Sequence, residues 1–70
     1  MEIKWHDGFT IKVNINDETA VISANREGLL SLSAQLACLA DGEAGSHIHY
    51  DEYNSLENGS AELIIEKTAD

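Results

Sequence analysis

The chain has 70 residues, with thirteen acidic residues against four Lys or Arg, so its formal net charge is −9 with neutral histidines. This length fits one small domain, and we expect residues 1–70 to fold as a single unit. The charge argues against binding to nucleic acid or to an anionic membrane surface, because both depend on basic residues. It favours a basic protein partner instead.

The cysteine content and the hydropathy predict a soluble cytoplasmic protein. Cys38 is the single cysteine, so no internal disulfide can form, and there is no CxxC pair of the kind found in structural zinc sites. A lone thiol is typical of a reducing compartment. The longest uncharged run, residues 28–40, is shorter than the roughly 20 residues of a membrane span. The charged N-terminus does not resemble a signal peptide.

The N-terminal part of the chain predicts three antiparallel strands. Residues 2–5 form a short alternation, and Asp7 and Gly8 after it favour a hairpin turn. Residues 9–16 alternate strictly between apolar and polar side chains, which indicates a strand with one buried face. Residues 19–23 follow a polar turn and complete the predicted meander.

A helix is predicted next. Asn25 is the expected N-cap, because its side chain can accept a hydrogen bond from the first free amides of the helix. Asp41 and Gly42 end the helix, and Gly42 suits a left-handed C-terminal residue. Leucines at three- and four-residue spacing define the face that we expect to be buried: Leu29, Leu32, Leu36 and Leu39.

Two further strands are predicted over residues 47–51 and 61–67, joined by a polar loop that contains a favoured turn at Asn58 and Gly59. The element order is therefore βββαββ. It predicts an α+β fold with a mainly antiparallel sheet of four or five strands and one helix packed on one face. The strand count stays open by one because the first strand is so short.

The sharpest chemical pattern is the pair His47 and His49, whose imidazoles share one face of a predicted strand, with Asp51 continuing that face. Glu62 or Glu66 on the neighbouring strand could add a carboxylate. Zinc needs three or four protein ligands, however, and the sequence fixes no third one. Two histidines on a solvated face are the simpler interpretation. We predict no metal and no cofactor, and we keep a zinc protein as an alternative hypothesis.

No pattern in the sequence indicates catalysis. The chain has no glycine-rich phosphate loop and no nucleophile elbow, and Cys38 has no flanking Lys or Arg that would activate it. A domain this small also has little room for a cleft that excludes water. We predict that the protein is not an enzyme and that it has no catalytic residue.

Two surfaces are candidates for protein contact. Acidic side chains surround an aromatic residue after the histidine strand, and such a patch suits docking to a cationic surface. Its expected contact residues are His49, Asp51, Glu52, Tyr53 and Glu57. The helix carries no charge between residues 28 and 40. Its predicted outer face is either an ordinary exposed surface or a contact surface, for self-association or for a partner. The residues of that predicted face are Ser31, Ala34, Gln35 and Cys38.

Three segments carry a family resemblance. They are the helix start NREGLLSL at residues 25–32, the strand HIHYDE at residues 47–52 and the final strand GSAELIIEK at residues 59–67. Together they resemble immunity protein family 32 of bacterial polymorphic toxin systems. The resemblance implies a small cytoplasmic antidote that binds a cognate toxin and protects the producing cell. It supplies no residue-level mechanism, so no binding residue is taken from it.

The leading hypothesis from the sequence is a non-enzymatic, protein-binding inhibitor of a toxin. A nuclease toxin would suit the charge best, because its nucleic-acid-binding surface should be basic. The alternatives are a zinc protein built on His47 and His49 and a structural homodimer joined through the uncharged helix face.

Overall fold

The computed structural model describes residues 3–69. β1 pairs with β2 and β3 pairs with β4, both antiparallel, in two separate two-stranded sheets. The α+β class is confirmed, but the predicted single sheet of four or five strands is replaced by two hairpins. In chain order the elements are β1 (Ile11–Asn16), β2 (Thr19–Ala24), α1 (Arg26–Ala40), β3 (His47–Tyr50) and β4 (Leu63–Glu66).

The first predicted strand, over residues 2–5, is not a strand where the structure describes it. Glu2 lies outside the described residues, and the other three have no regular secondary structure. The turn predicted before β1 is present, because the amide of Phe9 donates to the carbonyl of His6 at 3.2 Å and Gly8 has a φ of 78°. This turn therefore connects an irregular segment, rather than a strand, to β1.

The second edge of β1 explains why the hairpins do not merge into one sheet. The carbonyl of Ile11 accepts from the amide of Glu57 at 2.9 Å, and the carbonyl of Val13 accepts from the amide of Ala61 at 2.8 Å. The amide of Val13 donates to Oγ of Ser60 at 3.0 Å. The loop before β4 thus satisfies the polar groups that another strand would have needed for pairing.

The hydrophobic core draws on β1, α1, β3 and the loop that follows β3. Trp5 closes it on the side of the N-terminal segment, stacking on Phe9 with ring centroids 4.4 Å apart and meeting Tyr50 edge-on at 6.2 Å. The buried hydrophobic residues are Ile11, Val13, Leu32, Leu39, Ile48, Tyr50 and Leu56.

Helix α1 begins at the predicted N-cap, Asn25. Its Oδ1 accepts from the amide of Gly28 at 2.8 Å, as an N-cap should, and also from the amide of Thr10 at 2.9 Å. Its Nδ2 donates to the carbonyl of Gly8 at 2.8 Å. One side chain therefore caps the helix and ties it to the segment that precedes β1.

The end of α1 differs from the prediction in its conformation. Asp41 is the C-cap with right-handed dihedrals, and Gly42 does not have the positive φ that we expected. Lys67 stabilises this end instead, since its Nζ donates to the carbonyls of Ala40 and Gly42, both at 2.7 Å. A cation there also opposes the negative end of the helix dipole. Among residues 3–69, no helix combines the length and the apolar character needed to cross a membrane.

The helix buries a different face from the one that its leucines predict. Leu32 and Leu39 are buried as expected, but Leu29 and Leu36 are 55% and 43% exposed. The prediction that these four leucines form one buried stripe is therefore wrong for two of them. The remaining buried positions of the helix are small or polar: Gly28, Ser31 and Gln35.

Hydrogen bonds from the N-terminal segment explain why Ser31 and Gln35 lie inside. Oγ of Ser31 accepts from the amide of His6 at 2.8 Å. Nε2 of Gln35 donates to the carbonyl of Lys4 at 2.9 Å, and its Oε1 accepts from the hydroxyl of Tyr50 at 2.7 Å. Because buried polar groups need partners, these bonds select the orientation in which Ser31 and Gln35 face the core.

Candidate functional site

The loop that follows β3 contains most of the predicted binding residues and is closed by its own hydrogen bonds. Oδ1 of Asp51 accepts from the amides of Tyr53 and Asn54 at 2.9 and 3.0 Å. Oδ1 of Asn54 accepts in return from the amide of Asp51 at 3.1 Å, and its Nδ2 donates to the carbonyl of His49 at 2.9 Å. These side-chain bonds hold residues 51–54 in one local conformation.

Tyr53 projects from this loop into solvent. Its exposed fraction is 95%, whereas Ser55 and Leu56 just after it are buried and donate their amides to the carbonyl of Asp51. A backbone that is already ordered loses less conformational entropy when a partner binds. Tyrosine is also among the residues that dominate binding energy at protein interfaces. Of the predicted contact residues, Tyr53 is the one best placed to insert into a partner.

The predicted acidic residues divide into two that hold the loop and one that faces solvent. Asp51 closes the loop as described, and Oε2 of Glu52 accepts from the amide of Gly59 at 2.6 Å. Glu57 is exposed, while its amide is fixed against β1 by the bond to Ile11. Glu57 therefore contributes negative charge at the surface, whereas Asp51 and Glu52 contribute both charge and loop structure.

His49 lies on the exposed face of the second hairpin, as the alternation predicted. Its Nε2 is 3.4 Å from Oε2 of Glu62, and the strand register sets His47 opposite Glu66. Residues 3–69 contain no group of three or more His, Cys, Asp or Glu side chains able to hold a metal ion. The alternative zinc hypothesis therefore lacks the third ligand that a zinc site requires.

Two of the four residues predicted for helix self-association are buried. Ser31 and Gln35 are 0% and 1% exposed, so the prediction that they lie on the outer face is wrong. Ala34 and Cys38 are exposed and line an open groove of about 610 Å³ beside Lys4. Ser31 and Gln35 were predicted to be exposed because all four leucines were expected on the buried side of the helix.

The observed orientation of α1 creates an apolar surface that the leucine pattern does not predict. Leu29, Leu30 and Leu36 are 55%, 36% and 43% exposed on a helix with no charge from residue 28 to residue 40. A signal for it was present, because Ser31 and Gln35 are four residues apart and hence on one side of a helix. A polar pair at that spacing is as compatible with a hydrogen-bonded interior as with solvent.

Comparison with known proteins gives one result on the family. A protein-family model described as Immunity protein 32 matches residues 19–68. The matched stretch includes β2, α1, β3, β4 and the loop that presents Tyr53. No curated protein and no solved structure matches the chain significantly.

Proposed function

The chain belongs to the Immunity protein 32 family, and from this premise we propose that it binds a cognate protein toxin and neutralises it. The family match extends over more than half of the chain, which supports the resemblance found in the sequence. The proposed action is inhibition by binding, without catalysis, in the cytoplasm of the cell that produces the toxin.

The contact surface that we propose is the loop after β3, with Tyr53 as its anchor. The observation that supports this choice is a 95% exposed aromatic ring on a backbone held by hydrogen bonds. Interfaces are commonly built from such an anchor inside a polar rim. The rim that we propose for this chain consists of three acidic residues, Asp51, Glu52 and Glu57, together with His49.

The net charge of −9 supports a toxin with a basic surface, such as a nuclease domain. Opposite charges on two proteins accelerate their encounter and make the association rate sensitive to salt. An exposed carboxylate such as that of Glu57 acts mainly on this rate. The aromatic contact acts mainly on the rate of dissociation.

Binding kinetics with the toxin domain encoded beside this gene test the proposal, because immunity genes typically lie next to their toxin genes. Tyr53→Ala should raise the dissociation rate by about 30-fold or more, as expected for an interface anchor. Tyr53→Phe keeps the ring and should retain most of the affinity. Both variants should fold like the parent chain, because the side chain contacts solvent. Absence of binding by the parent chain would refute the toxin assignment.

A charge-matched pair of variants tests the position of the surface. Glu57→Gln and Glu18→Gln remove one exposed charge each, the first in the candidate loop and the second in the turn between β1 and β2. Glu57→Gln should slow association about two- to five-fold and reduce its salt dependence, while Glu18→Gln should have a smaller effect. If the two variants slowed association equally and Tyr53→Ala left the dissociation rate unchanged, this loop would not be part of the interface. The proposal that the chain binds a toxin would still stand.

A further inference from the structure

The turn before β4 contains a peptide link of a chemically labile type. Asn58 is the only asparagine in the chain that is followed by glycine. The backbone nitrogen of the residue after an asparagine can attack the carbon of the side-chain amide, and glycine leaves this attack unhindered because it has no Cβ. Both residues are exposed, and Gly59 has a φ of 86°. Sequence and exposure alone therefore make this link a candidate for spontaneous deamidation.

Two charged side chains hold the peptide group between Asn58 and Gly59 from its two ends. Nζ of Lys12 donates to the carbonyl oxygen of Asn58 at 2.6 Å. Oε2 of Glu52 accepts from the amide of Gly59, also at 2.6 Å. Hydrogen bonds with an ionised partner are about twice as strong as those between neutral groups. Because the carbonyl and the amide of the same peptide group are both engaged, the plane of that group is fixed.

The chain on either side of this link is also fixed. The amide of Glu57 donates to the carbonyl of Ile11 at 2.9 Å, and the amide of Ala61 donates to the carbonyl of Val13 at 2.8 Å. Only residues 58–60 lie between these two attachments to β1. A span this short, with both ends held, has little freedom to fold back into the ring that deamidation requires.

We propose that Asn58 is a deamidation site and that Glu52 and Lys12 keep it unreactive in the folded chain. The reaction begins when the amide of Gly59 loses its proton to a base in the solvent. The nitrogen then bonds to Cγ of Asn58, the bond from Cγ to Nδ2 breaks, and Nδ2 leaves as ammonia with a proton from the solvent. Water opens the resulting succinimide at either of its carbonyls, which leaves aspartate or isoaspartate at position 58.

The carboxylate of Glu52 opposes the first step of this reaction. It stabilises the amide of Gly59 in its protonated form, and its negative charge disfavours the anion that remains when the proton leaves. The nitrogen must also break its bond to Glu52 before it can turn toward Cγ of Asn58. Deamidation therefore requires a local opening of the turn in which Glu52 releases the amide.

The two products should affect the loop before β4 differently. Aspartate adds a negative charge to the turn and leaves the length of the backbone unchanged. Isoaspartate carries the chain through its side-chain carbon, so the backbone between Glu57 and Ala61 becomes longer. Because both of these residues donate their amides to β1, the longer span must release one of the two bonds. Formation of isoaspartate should therefore uncover part of the second edge of β1.

Mass spectrometry of the full chain after incubation in mildly alkaline buffer tests the proposal, since deamidation changes the mass of the peptide that contains residue 58. Glu52→Ala should deamidate there about ten-fold faster than the parent chain or more, as expected for the loss of a bond to a charged acceptor. Glu52→Gln keeps a neutral acceptor and should give an intermediate rate. Glu57→Ala removes a neighbouring exposed charge but leaves the bond to Gly59 in place, and it should stay within about two-fold of the parent. Asn58→Ser should show no mass change in this peptide.

Amide exchange measured by NMR gives a second readout. The amide of Gly59 should exchange about ten-fold faster in Glu52→Ala than in the parent chain, in parallel with the deamidation rate. Unfolding both chains in guanidinium chloride should remove the difference between their deamidation rates. Equal rates for the folded parent and the folded Glu52→Ala variant overturn the proposal, and so does a folded parent that deamidates as fast as the unfolded one. The inference does not depend on toxin binding, so each can fail alone.

Discussion

The hydroxyl of Tyr50 donates a 2.7 Å hydrogen bond to Oε1 of Gln35, and the two side chains are 0% and 1% exposed. Nε2 of Gln35 donates in turn to the carbonyl of Lys4. One buried amide therefore joins β3, α1 and the N-terminal segment. These bonds, together with the bond from the amide of His6 to Ser31, place the polar side of the helix against the core.

Removing the Tyr50 hydroxyl should destabilise the fold. Tyr50→Phe leaves the ring in place but leaves Oε1 of Gln35 without its partner, which should lower the free energy of unfolding by about 1–3 kcal/mol. Urea unfolding followed by tryptophan fluorescence measures the change. Tyr53→Phe is the matched control, because the same atom is removed at a 95% exposed position, and it should stay within about 0.5 kcal/mol of the parent chain. Equal midpoints for the two variants would contradict this prediction.

The same hydroxyl should make stability depend on alkaline pH. Burial raises the pKa of Tyr50 above its ordinary value of 10.0, because the charged phenolate is disfavoured inside the protein. The unfolded chain then loses its proton first. The contribution of Tyr50 to stability is complete below about pH 10 and declines as pH rises through the higher folded pKa. Unfolding curves from about pH 8 to about pH 11 should show the difference between parent and Tyr50→Phe shrinking. A difference that stays constant with pH would show that the pKa of Tyr50 is the same in the folded and the unfolded chain.

Gly28→Ala should reverse the usual effect of this substitution in a helix. Alanine is normally favoured over glycine by about 1 kcal/mol. Here an added Cβ would lie 2.5 Å from the carbonyl oxygen of Thr10 and 3.1 Å from Cβ of Ala24, so the helix start would be displaced. We expect a net loss of about 1–3 kcal/mol in thermal or urea unfolding. Ser33→Ala, at an exposed position of the same helix, should instead be neutral or should raise the free energy of unfolding by about 0.2–0.5 kcal/mol.

Asn25→Ala should be more harmful than the loss of an ordinary N-cap. It removes the bond to the amide of Gly28 and also the links to Thr10 and Gly8, so about 2 kcal/mol is expected, at the upper end of the range for caps. Asn25→Asp keeps both acceptor bonds and loses only the donor to Gly8. Its stability should therefore fall between those of the parent and the alanine variant. An aspartate variant as unstable as the alanine variant would show that the donor bond dominates.

The sequence is sufficient to predict structural features that depend on residues close together along the chain. The alternation of β1 identifies Ile11 and Val13 as core residues, and the Asn25 cap follows from helix-start chemistry. The alternation of β3 places Ile48 and Tyr50 inside. Local pattern was less informative at the hairpin end, where Ile15 is 61% exposed although it continues the alternation of β1.

Features that depend on distant segments were not predictable. The rotation of α1 is set by hydrogen bonds to residues 4 and 6, more than twenty positions away along the sequence, which periodicity within the helix cannot reveal. The split into two sheets arises because Glu57 and Ala61 bond to β1 from a loop. At the site, composition identified Tyr53 as exposed, but it gave no sign that Asp51 and Glu52 are engaged in holding the loop.

The loop that presents Tyr53 has a consequence for how this protein can evolve. Its conformation depends on the side chains of Asp51 and Asn54, whereas the side chain at position 53 takes no part in the hydrogen bonds that hold it. Substitution at position 53 can therefore change the chemistry of the proposed contact surface with little effect on folding. Under the proposed function, a lineage that meets a new toxin can adjust its specificity there one residue at a time, without passing through unstable intermediates.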